Sequence, residues 1–120
     1  MPDIRRALGA LGEAEACRFL ERGGARIVER GARTRYGEID IVCRDARGYL
    51  FVEVKTRRAG SFVSAVEAVD ARKLARLAAL AQAWLALHGK RDARWRIALV
   101  AVTMGRQGLA MELIELDRLD

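Results

Sequence analysis

Imidazole and thiol are almost missing from this chain. His88 is its one histidine, and Cys17 and Cys43 are its two cysteines, in 120 residues. A zinc site of His and Cys ligands has too few donors here, and nothing in the cysteine spacing resembles a metal knuckle. Ser–His or Cys–His catalysis has only His88 to draw on. The two thiols read as buried and reduced, as in a reducing cytosol. Proline occurs once, at Pro2, so no proline-rich linker divides the chain. Aromatics make up 6 %, too few for a single-strand stacking platform. No apolar run approaches the ~18 residues of a membrane span. Asp3, Arg5 and Arg6 interrupt the first residues, so they lack the apolar stretch of a signal peptide. A soluble cytoplasmic protein is expected, without a membrane partner. Lysine is scarce too: Lys55, Lys73 and Lys90 are three of 22 basic residues. Any chemistry must therefore use carboxylates, lysine and a hard metal.

Apolar and charged material is plentiful. Hydrophobic residues are 52 % and charged residues 32 %, enough for the core of one ordinary domain over 1–120. The formal net charge is +6, and an excess of that sign favours a polyanionic partner. It is uneven: residues 26–58 carry +4, 59–106 carry +5 and 107–120 carry −3. The basic middle is where a site is to be sought.

Periodicity places the elements. Residues 3–22 carry Leu8, Leu11, Ala14, Ala16, Phe19 and Leu20 on a helical stripe, closed by Gly23-Gly24. A strand is expected over 25–33, weakened at its end by Gly31. Residues 37–44 and 49–56 are rich in β-branched and aromatic residues and form the clearest strands. Asp45-Ala46-Arg47-Gly48 between them suits a tight turn. A loop follows over 57–69, and Asp70 caps a helix over 71–88 that Gly89 stops. Strands at 95–103 and 109–116 complete an α-β-β-β-α-β-β order. That is an α/β domain on one mixed central sheet flanked by helices.

The hairpin holds the chemistry. Alternation puts Ile39, Ile41 and Cys43 on one face and Glu38, Asp40 and Val42 on the other. In the second strand Phe51, Glu53 and Lys55 share a face. An even-length turn pairs Val42 with Phe51, Asp40 with Glu53, and Glu38 with Lys55. Opposed carboxylates are destabilising unless one is protonated or a cation joins them. Mg²⁺ meets that need, since it takes one or two carboxylates plus waters and phosphate oxygens. Lys55 lies two residues along the same face, placed to orient or deprotonate a water or to face a phosphate. The competing reading is a solvated sheet face carrying a Glu38–Lys55 pair.

Asp40, twelve intervening residues and Glu53-Val54-Lys55 resemble the Asp…(Glu/Asp)-x-Lys signature of restriction-endonuclease-like nucleases. Gly12-Glu13 with Ala16, then Arg33, Gly37-Glu38-Ile39-Asp40 and Phe51 to Arg57 resemble the YraN family of uncharacterised bacterial proteins. That family is similar in its core to archaeal Holliday-junction resolvases. The resemblance covers most of the chain, from Leu8 to the final strand. It implies a restriction-endonuclease-like core and a Mg²⁺- or Mn²⁺-dependent endonuclease acting on DNA, branched forms included. It implies Asp40 and Glu53 as metal ligands, the Val54 carbonyl as a third, Lys55 as the catalytic lysine and Glu13 as a carboxylate completing the site. Lys73 matches a basic position on the second helix, suited to a phosphate. A homodimer fits this class, because two strands must be cut. Two positions depart from the family pattern: Gly31, where Asn is frequent, and Ala98, where an acid is frequent.

Arg33, Arg35, Arg57 and Arg58 bracket the hairpin ends and suit a phosphate-tracking surface. Two other classes stand beside the nuclease. One is a catalytically silent nucleic-acid-binding module. The other is a protein-interaction domain built on Trp84 and the leucine-rich second helix.

Overall fold

The computed structural model describes residues 4–60 and 69–116. Its elements are α1 (Ile4–Arg22), β1 (Arg26–Thr34), β2 (Gly37–Asp45), β3 (Gly48–Arg58), α2 (Ala71–Leu87), β4 (Trp95–Gly105) and β5 (Gly108–Leu116). The order is the one periodicity predicts. The strands form one five-stranded sheet, ordered β1-β2-β3-β4-β5. Only β3 and β4 are parallel. A parallel pair needs a crossover, which α2 provides.

Each sheet face has its own core. Ala16, Cys17 and Leu20 of α1 pack on Ile41, Cys43, Leu50 and Val52. Leu80, Ala81, Trp84 and Leu85 of α2 pack on Val42, Tyr49 and Phe51. Successive residues of β3 thus serve opposite faces, which is why the strand is apolar on both. Trp84 is core, not interface: its indole lies 5.4 Å from the Tyr49 ring and donates to Glu29 Oε1 at 3.0 Å. Both cysteines are buried free thiols, and burial pushes the Cys43 thiol up to about 12. Among the described residues no helix is long and apolar enough to cross a membrane.

Three expectations need correction. Leu11 does not join the buried stripe; it is 45 % exposed, and Gly12 is buried in its place. The α1 helix lies so close to β3 that the contact line runs through its smallest residues. Second, residues 57 and 58 are strand rather than loop, because β4 supplies partners for both, Thr103 and Met104. The rest of the expected loop, 61–68, lies outside the described residues. Third, the alternation of β2 breaks at Asp40. Ile39 packs with the α2-side core, whereas Ile41 and Cys43 pack with the α1-side core.

Candidate functional site

That break builds the site. The register β2 and β3 adopt is the expected one, with Val42 opposite Phe51, but pairing stops at Ile41 and Val52. Asp40 and Glu53 do not face each other as a ladder pair, nor do Glu38 and Lys55. The Val54 amide, directed at the β2 side, donates instead to Asp40 Oδ2 at 2.8 Å. A carboxylate takes the place of a backbone acceptor, and the two strands fork around it. Beyond the fork β2 stays with β1 alone, where Glu38 lies opposite Arg33.

Gly31 lies on the β1 side of the fork. The β1–β2 pairing passes from Arg30 and Ile41 to Ala32 and Ile39. Gly31 sits between with φ of +60°, left-handed backbone that glycine, and after it Asn, adopt most readily. Asn tolerates that backbone better than other side chains, and a Cβ at Gly31 would meet only the flexible Glu38 carboxylate, at 3.1 Å. Gly31→Asn is expected to change stability by less than ~1 kcal/mol, whereas Gly31→Val, β-branched in a left-handed position, costs about 2 kcal/mol by urea unfolding. The other departure, Ala98, is fully buried in the α1-side core, where an acid would be desolvated.

Beside the fork lies a cleft of about 450 Å³. Glu13, Asp40, Val54, Lys55, Arg57 and Arg58 line it, together with the nearby turn of α1. The helix reaches it because Gly12 has no side chain: a Cβ there would come 2.1 Å from Thr56 Oγ1. Glycine inside a helix costs about 1 kcal/mol relative to alanine, and here that cost permits close approach. The next residue, Glu13, is thereby delivered to the cleft.

The carboxylates feel one another. Burial, first, and then the charges of Glu53 and Glu38 push the Asp40 carboxyl above its usual range; the Val54 amide and Lys73 pull the other way. Burial and Asp40 likewise raise Glu13, against Arg30. Glu53 is half-buried and turned towards α2, where its Oε1 meets Lys73 Nζ at 3.1 Å. Its Oε2 is buried without a hydrogen-bond partner among the described residues. Asp70 places the lysine by capping α2, accepting the Lys73 amide at 2.9 Å.

The structure thus gathers Glu13, Asp40, Val54, Lys55, Arg57 and Arg58 in one cleft. Glu53 and Lys73 form an ion pair with each other and do not line it. Arg33 and Arg35 lie apart, on the β1–β2 hairpin; Arg33 is exposed, and the Arg35 guanidinium lies 5.5 Å from the Tyr36 ring centroid. The Lys73–Glu53 pair went unread in the sequence, because twenty residues and a crossover separate its members. Among the described residues no three His, Cys, Asp or Glu side chains form a ready metal cage.

At the far end of the sheet a second charged group does structural work. Arg96 donates twice to Asp45, at 2.8 and 3.2 Å, and once to Glu115 at 3.2 Å. Arg47 meets the same Glu115 at 2.9 Å. The network ties the β2–β3 turn to β4 and β5.

Comparison with known proteins bears out the family resemblance. A model described as uncharacterised protein family UPF0102 matches residues 12–102. A UPF0102 protein of Mycobacterium sp. strain JLS is 47 % identical over 105 residues, 86 % of this chain and 78 % of its own. One from Beutenbergia cavernae is 48 % identical over 104 residues, covering 87 % and 88 %. Among solved structures, SfsA of Pyrococcus furiosus in complex with Ca²⁺ aligns at TM-score 0.37 and 19 % identity. That alignment covers 96 % of this chain and 63 % of the other. The matched span takes in the fork, the cleft and the second helix, and the chain belongs to the UPF0102 family, the YraN proteins whose motif it resembles.

Proposed function

We propose that this chain is a metal-dependent nuclease-like domain that hydrolyses phosphodiester bonds of DNA, branched DNA included. The observation that carries the reading is the fork: a half-buried carboxylate, Asp40, clamped by the Val54 amide next to Lys55 in sequence, with a Glu53 oxygen that is buried without a hydrogen-bond partner among the described residues. A divalent cation suits this donor set. It would neutralise the repulsion that raises Asp40 and satisfy Glu53 Oε2. Mg²⁺ or Mn²⁺ needs, besides water, only one or two carboxylates, which Asp40 and Glu53 would supply.

Asp40 and Glu53 would hold the ion. An extended residue directs its N–H and C=O to the same strand edge, so the Val54 carbonyl also opens on the fork and fits as a third ligand. A bound Mg²⁺ or Mn²⁺ supplies charge neutralisation and Lewis acidity at the scissile phosphate. Lys55, half-buried in the same cleft, takes the proton of the attacking water or faces the charge growing on the phosphate. Glu13 adds a carboxyl on the α1 side to orient that water. Arg57 and Arg58 line the cleft at the end of β3 and would hold the substrate backbone, with Arg33 and Arg35 on the hairpin as further backbone contacts.

The test is cleavage of duplex, flap and four-way-junction DNA with Mg²⁺ or Mn²⁺, with EDTA and Lys55→Ala as controls. A loss of at least about a hundredfold on Lys55→Ala is expected. Equal cleavage by the variant would assign the activity to a contaminant.

Lys73 gives a separate prediction. Its ammonium competes with a cation for Glu53. Lys73→Met should tighten Mn²⁺ binding by about threefold to tenfold in calorimetry, as a partly exposed like charge is removed. The same change should weaken DNA binding in EDTA, since a phosphate contact is lost. Effects of equal sign would contradict the role.

A further inference from the structure

The tip of the β1–β2 hairpin is placed by the same fork. Released from β3, it lies against α2. The contact is close: a Cβ on Gly37 would come 3.1 Å from the Arg76 guanidinium and 3.5 Å from Leu80. Between the tip and the C-terminal half of α2 runs a groove of about 500 Å³, lined by Tyr36, Ala83, Ala86, Arg91 and Trp95. It continues past Arg35 and Leu87. Tyr36 is 59 % exposed and Leu87 69 %, so the groove sets open aromatic and apolar side chains beside the half-buried Ala83 and Ala86.

Its electrostatics are one-sided. Arg35 and Arg91 line it, and no carboxylate does among the described residues. Arg35 already stands 5.5 Å from the Tyr36 ring. A flat apolar ligand flanked by negative charge fits such a groove, and a nucleobase between two phosphates has that form. Basic residues lead to it from the fork. Lys73, at Glu53, and Arg76, at Gly37, are three apart on α2 and so share a face. Along the chain, Tyr36 is four residues from Asp40, at most about 14 Å. A single strand of about four stacked nucleotides spans that distance.

We propose that this groove receives an unpaired base of a DNA substrate, stacked on Tyr36, with its flanking phosphates on Arg35 and Arg91. The inference rests on the nuclease-like reading and specifies what distinguishes the substrate: unpaired nucleotides next to the scissile phosphate. Scarcity of aromatic residues predicts no stacking platform. One exposed ring between arginines is enough for a single base, and only the docking of the hairpin on α2 supplies the groove around it.

The full chain is tested in EDTA by fluorescence anisotropy with two labelled probes. One is a blunt duplex, the other the same duplex with a four-nucleotide single-stranded tail. The native chain is expected to prefer the tailed probe by about tenfold. Tyr36→Ala should erase that preference and leave blunt-duplex affinity unchanged, while Tyr36→Phe retains it. Arg91→Ala should weaken the tailed probe and lower its salt dependence by about one ion. Thermal unfolding of each variant checks the fold. Equal binding of both probes by the native chain, or equal loss on both in Tyr36→Ala, overturns the proposal. A preference that survives Tyr36→Ala also overturns it and leaves the groove to a protein partner. Metal-dependent cleavage is measured separately, so the stacking site can fail while the nuclease reading stands. Binding of neither probe at low salt sinks both.

Discussion

Asp40→Asn is expected to abolish metal-dependent cleavage and at the same time to stabilise the fold. The loss of activity should be at least about a hundredfold, the scale of removing one group that supports developing charge. The gain in stability follows from electrostatics. Burial and the charges of Glu53 and Glu38 raise the Asp40 carboxyl above 3.8, its unfolded reference. The folded chain therefore holds the Asp40 proton more tightly than the unfolded chain does. That tighter hold stabilises fully below the unfolded value and is lost as pH rises through the raised one. At neutral pH the ionised carboxylate is a net cost, which a neutral amide of the same shape removes. The Asn oxygen can still accept the Val54 amide, so the fork is kept. Two measurements check this. Thermal unfolding at pH 7 should give a higher midpoint for Asp40→Asn than for the native chain. Adding Mn²⁺ should raise the native midpoint, by about 2.7 kcal/mol of stabilisation at a hundredfold excess over Kd, and leave the variant's unmoved. A native midpoint indifferent to Mg²⁺ and Mn²⁺ would falsify the metal assignment without any cleavage assay.

The largest stability effect is expected at the opposite end of the hairpin. Gly48 closes the β2–β3 turn with φ of +114°. A Cβ there would lie 2.3 Å from the Arg94 carbonyl oxygen, which accepts the Tyr49 amide at 2.9 Å. Two costs add in Gly48→Ala. Backbone strain is about 1–3 kcal/mol, and overpacking against a carbonyl that cannot rotate away is of similar size. We expect a loss of at least about 3 kcal/mol, or about 10 °C in Tm. Gly108→Ala separates the terms. Gly108 has nearly the same φ, +113°, yet nothing lies within 4 Å of its Cβ position, so strain alone remains. Similar losses for the two variants would remove the steric part of the account.

The two glycines also mark how far the sequence could be read. Asp45 to Gly48 was legible as a turn from residue preference alone. The turn in turn sets the register that places Val42 opposite Phe51. Asp70 was legible as a helix cap and accepts the Lys73 amide. What was not legible was that Arg94, nearly fifty residues on, leaves no room for a side chain at Gly48. Leu11 fits the helical stripe by spacing, yet it faces out because Gly12 brings α1 onto Thr56.

The candidate site divides in the same way. Residue types, helical periodicity and two-residue alternation determined the α/β element order, the hairpin register and the choice of Asp40, Glu53 and Lys55 as chemically related. These depend on local conformation and on which face is buried, and both leave a periodic trace in the chain. Tertiary structure decided the rest: that the ladder forks at Asp40, that Glu53 pairs with Lys73 rather than facing Asp40, and that Glu13 reaches the cleft. Alternation assumes an unbroken ladder. Whether a side-chain carboxylate takes the place of a backbone acceptor, as Asp40 does at Val54, is a contact between segments remote in sequence, and such contacts have no period to read.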